Sequence, residues 1–224
     1  MRLSIIMPVL NEAAGIGTAL QALALFRTRG VEVIVVDGGS NDGTEALACP
    51  LADRVLSAPR GRAAQMNAGA AAATGDALLF LHADTRLPEN ADWLVLDGLC
   101  ARAWGRFDVR FDEPGWLRLV ALMMNLRSRL TGIATGDQAI FMTRAAFDAA
   151  GGFPPIALME DVALSARLKR LGRPLCLSAR VTTSGRRWRR HGLWRTILLM
   201  WGLRLRYFLG ADPARLARAY GYEN

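Results

Sequence analysis

The chain has 224 residues, 52% of them hydrophobic, and a formal net charge of +8. That length supports one domain with a sizeable core, and the scattered cysteines Cys49, Cys100 and Cys176 lack the paired spacing of a disulfide framework or a zinc site. The apolar start is too short for a signal peptide and no run of about 18 uncharged apolar residues occurs, so a cytoplasmic location is expected.

Along the chain, LSIIMPV is a short β-branched apolar run, and NEAAGIGTALQALALFRTRG reads as one helix stopped by Gly30. VEVIVVDGGS is a buried strand ending in acid and glycines. A short helix at GTEALA leads to a third strand, DRVLSA; GRAAQMNAGAAAATGD is a helix closed by Gly75, and ALLFLHAD is the fourth strand. Continuous apolar strands alternating with helices imply an α/β fold with a mostly parallel central sheet and helices on both faces. Ligands of such sheets bind beyond the carboxyl ends of the strands, where Asn11 and Glu12, Asp37 to Ser40, and His82 to Thr85 gather.

In the second half, WGRFDVRF alternates like an exposed antiparallel strand and GWLRLVALMMNLRSRL is an amphipathic helix. DQAIFMTRAAFDAAGGFP reads as strand, short helix and Gly-Gly turn. EDVALSARLKRLGRP is a helix with acid at its start and basic residues at its end, which complements the helix dipole. LCLSARVTTS is a strand, and LWRTILLMWGLRLRYFLG is a long apolar helix carrying Arg195, Arg204 and Arg206. No internal repeat, low-complexity tract or linker interrupts the chain.

Several of these places can carry chemistry, each with a plainer alternative. The Asp37-Gly38-Gly39-Ser40 loop offers a carboxylate for a base or ribose and glycines for close ligand approach, or it is a plain turn with Asp42 capping the next helix. No G-x-G-x-x-G follows a strand and no P-loop lysine is present, which excludes those nucleotide sites. Nearly all of the positive charge is arginine, whose planar fork suits phosphate, although a GC-rich gene also favours arginine. The arginine-rich loop around Trp188 suits a diphosphate clamp with a stacking tryptophan, or a basic surface facing anionic lipid. Without a base-stacking module or recognition helix, nucleic acid is not expected as a partner. The two Trp-, Leu- and Arg-bearing helices are either core elements or in-plane membrane contacts, which would make the protein peripheral on the inner face of the membrane.

Taken together, SIIMPVLNE, VIVVDGGSNDGT, GRAAQMNAGAAAATGDALLFLHAD, AAFDAAGGF and LMEDVALSARLKRLGR resemble, in order and spacing, the family 2 glycosyltransferases. The resemblance implies the GT-A-like nucleotide-diphospho-sugar transferase fold over residues 1–224. Residues 1–90 would form the nucleotide-binding half, 91–190 the acceptor half and 191–224 a C-terminal helical tail. GDQAIFM, RPLCLSARVTTSGRRW and YFLGADP are similar to a bacterial subgroup named for arsenosugar biosynthesis.

What the family implies maps onto particular residues. Pro8, Val9, Asn11 and Glu12 match the nucleotide pocket, and Asp37 matches the acid that reads the base, with Gly39, Ser40 and Asp42 on its loop. Asn67 matches the Asn of an Arg-Asn pair whose Arg position holds Met66; Arg62, one helical turn earlier, is placed to supply a cation instead. His82-Ala83-Asp84 falls on the D-x-D motif, so Asp84 is the expected ligand of a divalent metal, Mn²⁺ or Mg²⁺. His82 stands where the first acid would be, either as a second ligand or as a strand-end histidine. Asp161 is the expected base for an inverting displacement, with Glu160 beside it, and Asp137, Arg187 and Trp188 are expected on the acceptor side. The implied reaction is transfer of a sugar from a nucleotide-diphosphate-sugar donor to the hydroxyl of a small-molecule or lipid-linked acceptor. Two alternatives stand beside it. A nucleotidyltransferase would show a basic glycine-rich loop after the first strand, which PVLNEAAGIG lacks; a non-catalytic nucleotide-sugar binding protein would fit the departures at His82 and Met66.

Overall fold

A computed structural model describes residues 1–113 and 115–221, with side chains throughout except at residues 187, 190 and 191. Strands β1 (Leu3–Val9), β2 (Glu32–Asp37), β3 (Arg54–Ser57) and β4 (Ala77–Phe80) pair in parallel in the order β3-β2-β1-β4. Beyond β4 the sheet becomes mixed. It continues through β7 (Phe141–Thr143), β6 (Trp104–Phe111), β8 (Leu175–Thr183) and the two-residue β5 (Thr85–Arg86), giving eight strands among the described residues. Strand β7 is antiparallel to β4 and β6, β8 is parallel to β6, and β5 is antiparallel to β8. The sheet is therefore parallel in the first half and mixed in the second.

Helices α1 (Ala13–Gln21), α2 (Ala24–Thr28), α3 (Thr44–Ala48), α4 (Arg62–Ala72) and α5 (Ala91–Ala101) connect the first strands. The later ones are α6 (Leu117–Thr131), α7 (Arg144–Ala149), α8 (Glu160–Leu168), α9 (Arg186–His191), α10 (Leu193–Phe208) and α11 (Pro213–Tyr220). The stretch expected as one helix before Gly30 is two, α1 and α2. Leu23 N bonds Leu20 O three residues back, which tightens the turn and drops Leu23 into the core.

Successive residues of a strand face opposite sides, and here both sides are buried. On β1, Leu3, Ile5, Met7 and Val9 join one core cluster with Ile16 and Leu20 of α1 and Val95 of α5. Ile6 joins the other, with Ala63, Met66 and Ala70 of α4. That explains the unbroken apolar strands of the first half. Gly69 allows α4 to lie this close, because a Cβ there would stand 2.4 Å from Ile6 Cγ2 and 2.9 Å from Val36 Cγ2. Any side chain at 69 would push the helix, and with it Arg62, off the sheet.

Strand β6 corrects the expectation of an exposed strand. Trp104 to Val109 are buried, and the polar members of the alternation are paired inside, although Arg106 Nε meets no partner among the described residues. Arg106, with no exposed surface, bonds Asp108, and Arg129 of α6 reaches the other Asp108 oxygen at 2.7 Å. Asn125 pairs with both backbone groups of Val109, at 2.9 and 3.0 Å, as a neighbouring strand would. Buried ion pairs contribute little net stability but fix one arrangement, and this network sets the rotation of α6 over the sheet.

The C-terminal helices also pack inward. Leu203, Leu216 and Ala217 enclose Leu158, Met159 and Val162, so α10 and α11 press on the start of α8.

Candidate active site

A cavity of about 720 Å³ lies beyond the carboxyl ends of β1 and β4. Its wall brings together eight residues expected from the sequence: Glu12, Arg62, His82, Asp84, Asp137, Glu160, Asp161 and Trp188. Met66, which stands where the Arg of the pair would be, is buried in the core behind the site, whereas Arg62 lines the cavity.

The loops after β1 and β2 are tied into one crown rather than exposed singly. Asp37, 2% exposed, accepts from Gly39 N and Ser40 N, each at 2.8 Å, and from the Ser40 hydroxyl. Ser40 Oγ accepts from Asn11 N at 2.8 Å, and Asn11 Oδ1 accepts from Asn41 N at 3.0 Å. Asp42 accepts from Ala13 N and Thr44 N, each at 3.0 Å, and these bonds, with that of the Thr44 hydroxyl foremost, hold its carboxyl below the usual value. Asn11, Asp37, Gly39, Ser40 and Asp42 thus sit together at the rim, outside the cavity wall. Pro8 and Val9 close β1 beneath them. Gln65 of α4, not foreseen from the sequence, fastens this end of the sheet by donating to Val9 O at 2.7 Å and Val36 O at 2.8 Å. Ala83 packs on the core, and Asn67 spends both ends of its amide on Phe153, at 2.8 and 2.9 Å, tying α4 to the Gly-Gly-Phe turn. The side chain of Arg187 lies outside the described residues.

The acids at the start of α8 are held in an uncommon backbone. Met159, just before them, has φ +70, a left-handed conformation costly for a non-glycine residue. Its side chain is gripped by the α10–α11 cluster, which over-determines the geometry. Asn11 (φ 53) and Ala139 (φ 45) are the other two such residues among those described. Each lies within two residues of a cavity acid, Glu12 or Asp137.

Asp161 Oδ2 accepts from Gly136 N at 2.8 Å. One turn on, Ser165 Oγ bonds Ala134 N and O at 3.1 and 3.2 Å. This i, i+4 pair docks α8 on the 134–136 loop and fixes the Asp161 carboxylate. Glu160 is 5% exposed; burial and the adjacent Asp161 charge push its carboxyl up to about 7. Burial foremost also raises Glu12, with Asp84 and Asp42 adding to it, against the pull of Arg186, whose guanidinium lies 3.6 Å from Glu12. Burial alone would raise Asp137, but His82, Arg62 and Arg204 outweigh it and hold that carboxyl below its ordinary value.

His82 Nδ1 is 3.6 Å from Asp137 Oδ1. The imidazole lies flush against Gly136, where a Cβ would stand 2.4 Å from its Cε1. Asp84 is exposed and takes one long contact, 3.3 Å, from its neighbour Thr85. Among the described residues no three His, Cys, Asp or Glu side chains converge as an all-protein metal cage requires. The exposed Asp84 carboxylate is of the oxygen-donor type that a hard divalent cation takes.

Trp188 also lines the cavity and meets Phe111 edge-on, ring centroids 5.8 Å apart. Arg127 of α6 and Arg204 of α10 also line the cavity; Arg127 had read as part of an amphipathic helix and Arg204 as part of a long apolar one.

The model of glycosyl transferase family 2 matches residues 4–150. A PGL/p-HBAD biosynthesis glycosyltransferase of Mycobacterium bovis is 39% identical over 99 residues, 41% of this chain and 38% of that protein. The chain spans well under half the length of that relative. The mannosyltransferase PcManGT of Pyrobaculum calidifontis, solved with GDP-Man and Mn²⁺, superposes with a TM-score of 0.66 at 20% identity, covering 99% of this chain and 69% of that one. TarS 1-349 of S. aureus, in complex with UDP-GlcNAc, superposes at 0.64 with 18% identity, covering 82% and 58%. These structures establish the GT-A-like fold. By the family match over most of its length, the chain belongs to glycosyl transferase family 2.

Proposed function

We propose that the chain is a nucleotide-sugar-dependent glycosyltransferase that transfers its sugar with inversion to an acceptor hydroxyl. The carrying observation is the convergence of Glu12, Asp84, Glu160 and Asp161 on one cavity at the carboxyl ends of β1 and β4. Asp161, oriented by Gly136 N, removes the acceptor hydroxyl's proton as that oxygen bonds the anomeric carbon and the carbon–oxygen bond to the diphosphate breaks. Glu160, pushed up to about 7, holds a proton for part of the time at neutral pH, which lowers the negative charge beside the base. Arg62 is assigned to the diphosphate. A divalent cation, Mn²⁺ or Mg²⁺, held by Asp84 and the donor's phosphates, would neutralise charge on the leaving group. His82, engaged with Asp137 and Gly136, is assigned to positioning that loop rather than to the metal.

The relatives named above carry PGL/p-HBAD and mannosyltransferase names rather than an arsenosugar name, so the acceptor is read from the surface. Two apolar stripes border the cavity mouth: Trp116, which caps α6, with Leu119, Leu122, Met123 and Leu126 on that helix, and Trp194, Leu198, Trp201 and Leu205 on α10, each more than half exposed. Met123 and Trp201 also line the cavity. No helix among the described residues is long and apolar enough to cross a membrane. With the net positive charge, these stripes suit in-plane contact with an anionic lipid surface presenting the acceptor.

The test is donor turnover. With Mn²⁺, one UDP-, GDP- or dTDP-sugar should be consumed, and Asp161→Asn should cut the rate about 10²- to 10⁴-fold while the melting curve holds. No turnover of any such donor by the folded protein, or turnover indifferent to Asp161→Asn, would sink this reading.

A further inference from the structure

The cavity-facing sides of α6 and α10 repeat one pattern. On α6 the wall is formed by Val120, Met123, Met124 and then Arg127; on α10 it is formed by Ile197, Met200, Trp201 and then Arg204. Both follow the i, i+3, i+4, i+7 spacing of a single helical stripe. Each helix thus lays an apolar track along the cavity that ends in an arginine.

The two arginines are poorly accommodated by the protein itself. Arg127 Nε and Nη2 and Arg204 Nε are out of solvent and meet no hydrogen-bond partner among the described residues. Burial, and then the nearness of Arg204, lowers Arg127 to about 10, and burial lowers Arg204 as well. Asp161 and Asp137 offset this in part. A guanidinium has five rigidly placed donors, and burying them unused is costly unless an acceptor-rich anion joins them.

We infer that Arg127 and Arg204 form an anion subsite of the acceptor, which is an amphiphile with a phosphate or carboxylate head and an extended hydrocarbon or aryl body. The head meets the paired guanidinium groups, and the body lies along the Met123–Met124 and Met200–Trp201 tracks toward the exposed mouth. The hydroxyl to be glycosylated is then carried close to the head, within reach of Asp161, whose charge both arginines feel. This rests on the proposed transfer reaction for its chemistry, but its test needs no turnover.

The probes are n-octyl phosphate and the uncharged n-octyl glucoside, both below their micelle concentrations, with inorganic phosphate as the head alone. Binding is read by calorimetry on the whole chain. Octyl phosphate should bind at least tenfold more tightly than octyl glucoside and than inorganic phosphate. Arg127→Gln and Arg204→Gln should each bring octyl phosphate down to the glucoside level while UDP and GDP affinities change less than twofold. Because its buried nitrogens lack partners, Arg127→Met should melt no lower than wild type, so a loss of binding cannot be put down to unfolding. Equal binding of the two octyl probes to wild type overturns the inference. So does a parallel loss of UDP or GDP affinity in the variants, which would hand the arginines to the donor's diphosphate. Either result leaves the turnover test above untouched.

Discussion

Glu160→Gln isolates the energetic consequence of placing two carboxylates side by side at the start of α8. Glu160 is 5% exposed, and burial followed by the charge of Asp161 lifts its carboxyl from 4.5 to about 7. Between those values the native state holds a proton that the unfolded chain has already released. Stability contributed by this group therefore falls as pH rises through that window and is level above it. At about 1.4 kcal/mol per unit the full penalty is about 3 kcal/mol, of which about 1 kcal/mol is incurred by pH 5. Glutamine mimics the protonated acid and escapes the penalty. The variant's advantage over wild type should thus grow by about 2 kcal/mol from pH 5 to pH 8, or about 4–8 °C in melting temperature for a chain of this size. Calorimetric melting of both proteins at each pH is the measurement, and taking the difference cancels the titrating groups that do not interact with Glu160. A difference independent of pH, or one that shrinks toward pH 8, would mean that the native Glu160 carboxyl gives up its proton as readily as in the unfolded chain, and would refute the reasoning.

Gly136→Ala drives a methyl into the His82 ring and should cost about 1–3 kcal/mol, read in a denaturant melt, with turnover lost through the displaced Asp161 contact; unchanged activity would show that this contact does not orient the base. Asp84→Ala should abolish the Mn²⁺-dependent gain in UDP or GDP affinity, while His82→Ala retains most of it; the reverse order would make His82 the ligand. The protein should float with phosphatidylglycerol vesicles and not with phosphatidylcholine vesicles, and the double change Trp194→Glu, Leu198→Glu should reduce flotation at least tenfold.

The parallel half of the fold was legible because its strands are buried on both faces, leaving apolar runs that end in polar clusters. The residues of the loop crown were legible for the same reason, since Asp37, Ser40 and Asp42 lie where strands stop. The roles within the crown were not. That Asp37 spends its carboxylate on its own loop depends on the conformation of Gly38 and Gly39, and that Asn67 serves Phe153 depends on a turn 86 residues away. Strand β6 misled because an alternating polar residue normally marks solvent, and here it marks a buried Arg106–Asp108–Arg129 network whose partner lies on another element. Helix α11 had a visible start in Asp212, whose carboxylate caps Ala214 N at 3.0 Å, followed by Pro213 at the first helical position.

The departures from the family pattern are better understood as pairs than as losses. An acid at position 82 would face Asp137 and press on the loop that holds Asp161, in a cavity where Glu12 and Glu160 are already pushed up by burial and by neighbouring carboxylates. Imidazole removes one negative charge from that crowd and gives Asp137 a donor, and Gly136 leaves room for the ring. Met66 sits where an arginine would have to be buried against Ile6, Phe80 and Phe153; Arg62, one turn earlier, places the cation in the cavity without that burial. The charge lost from one position is thus recovered at another within the same site. The arginines on α6 and α10 extend the same logic to the acceptor wall, where cations face the acids across the space the substrates would occupy.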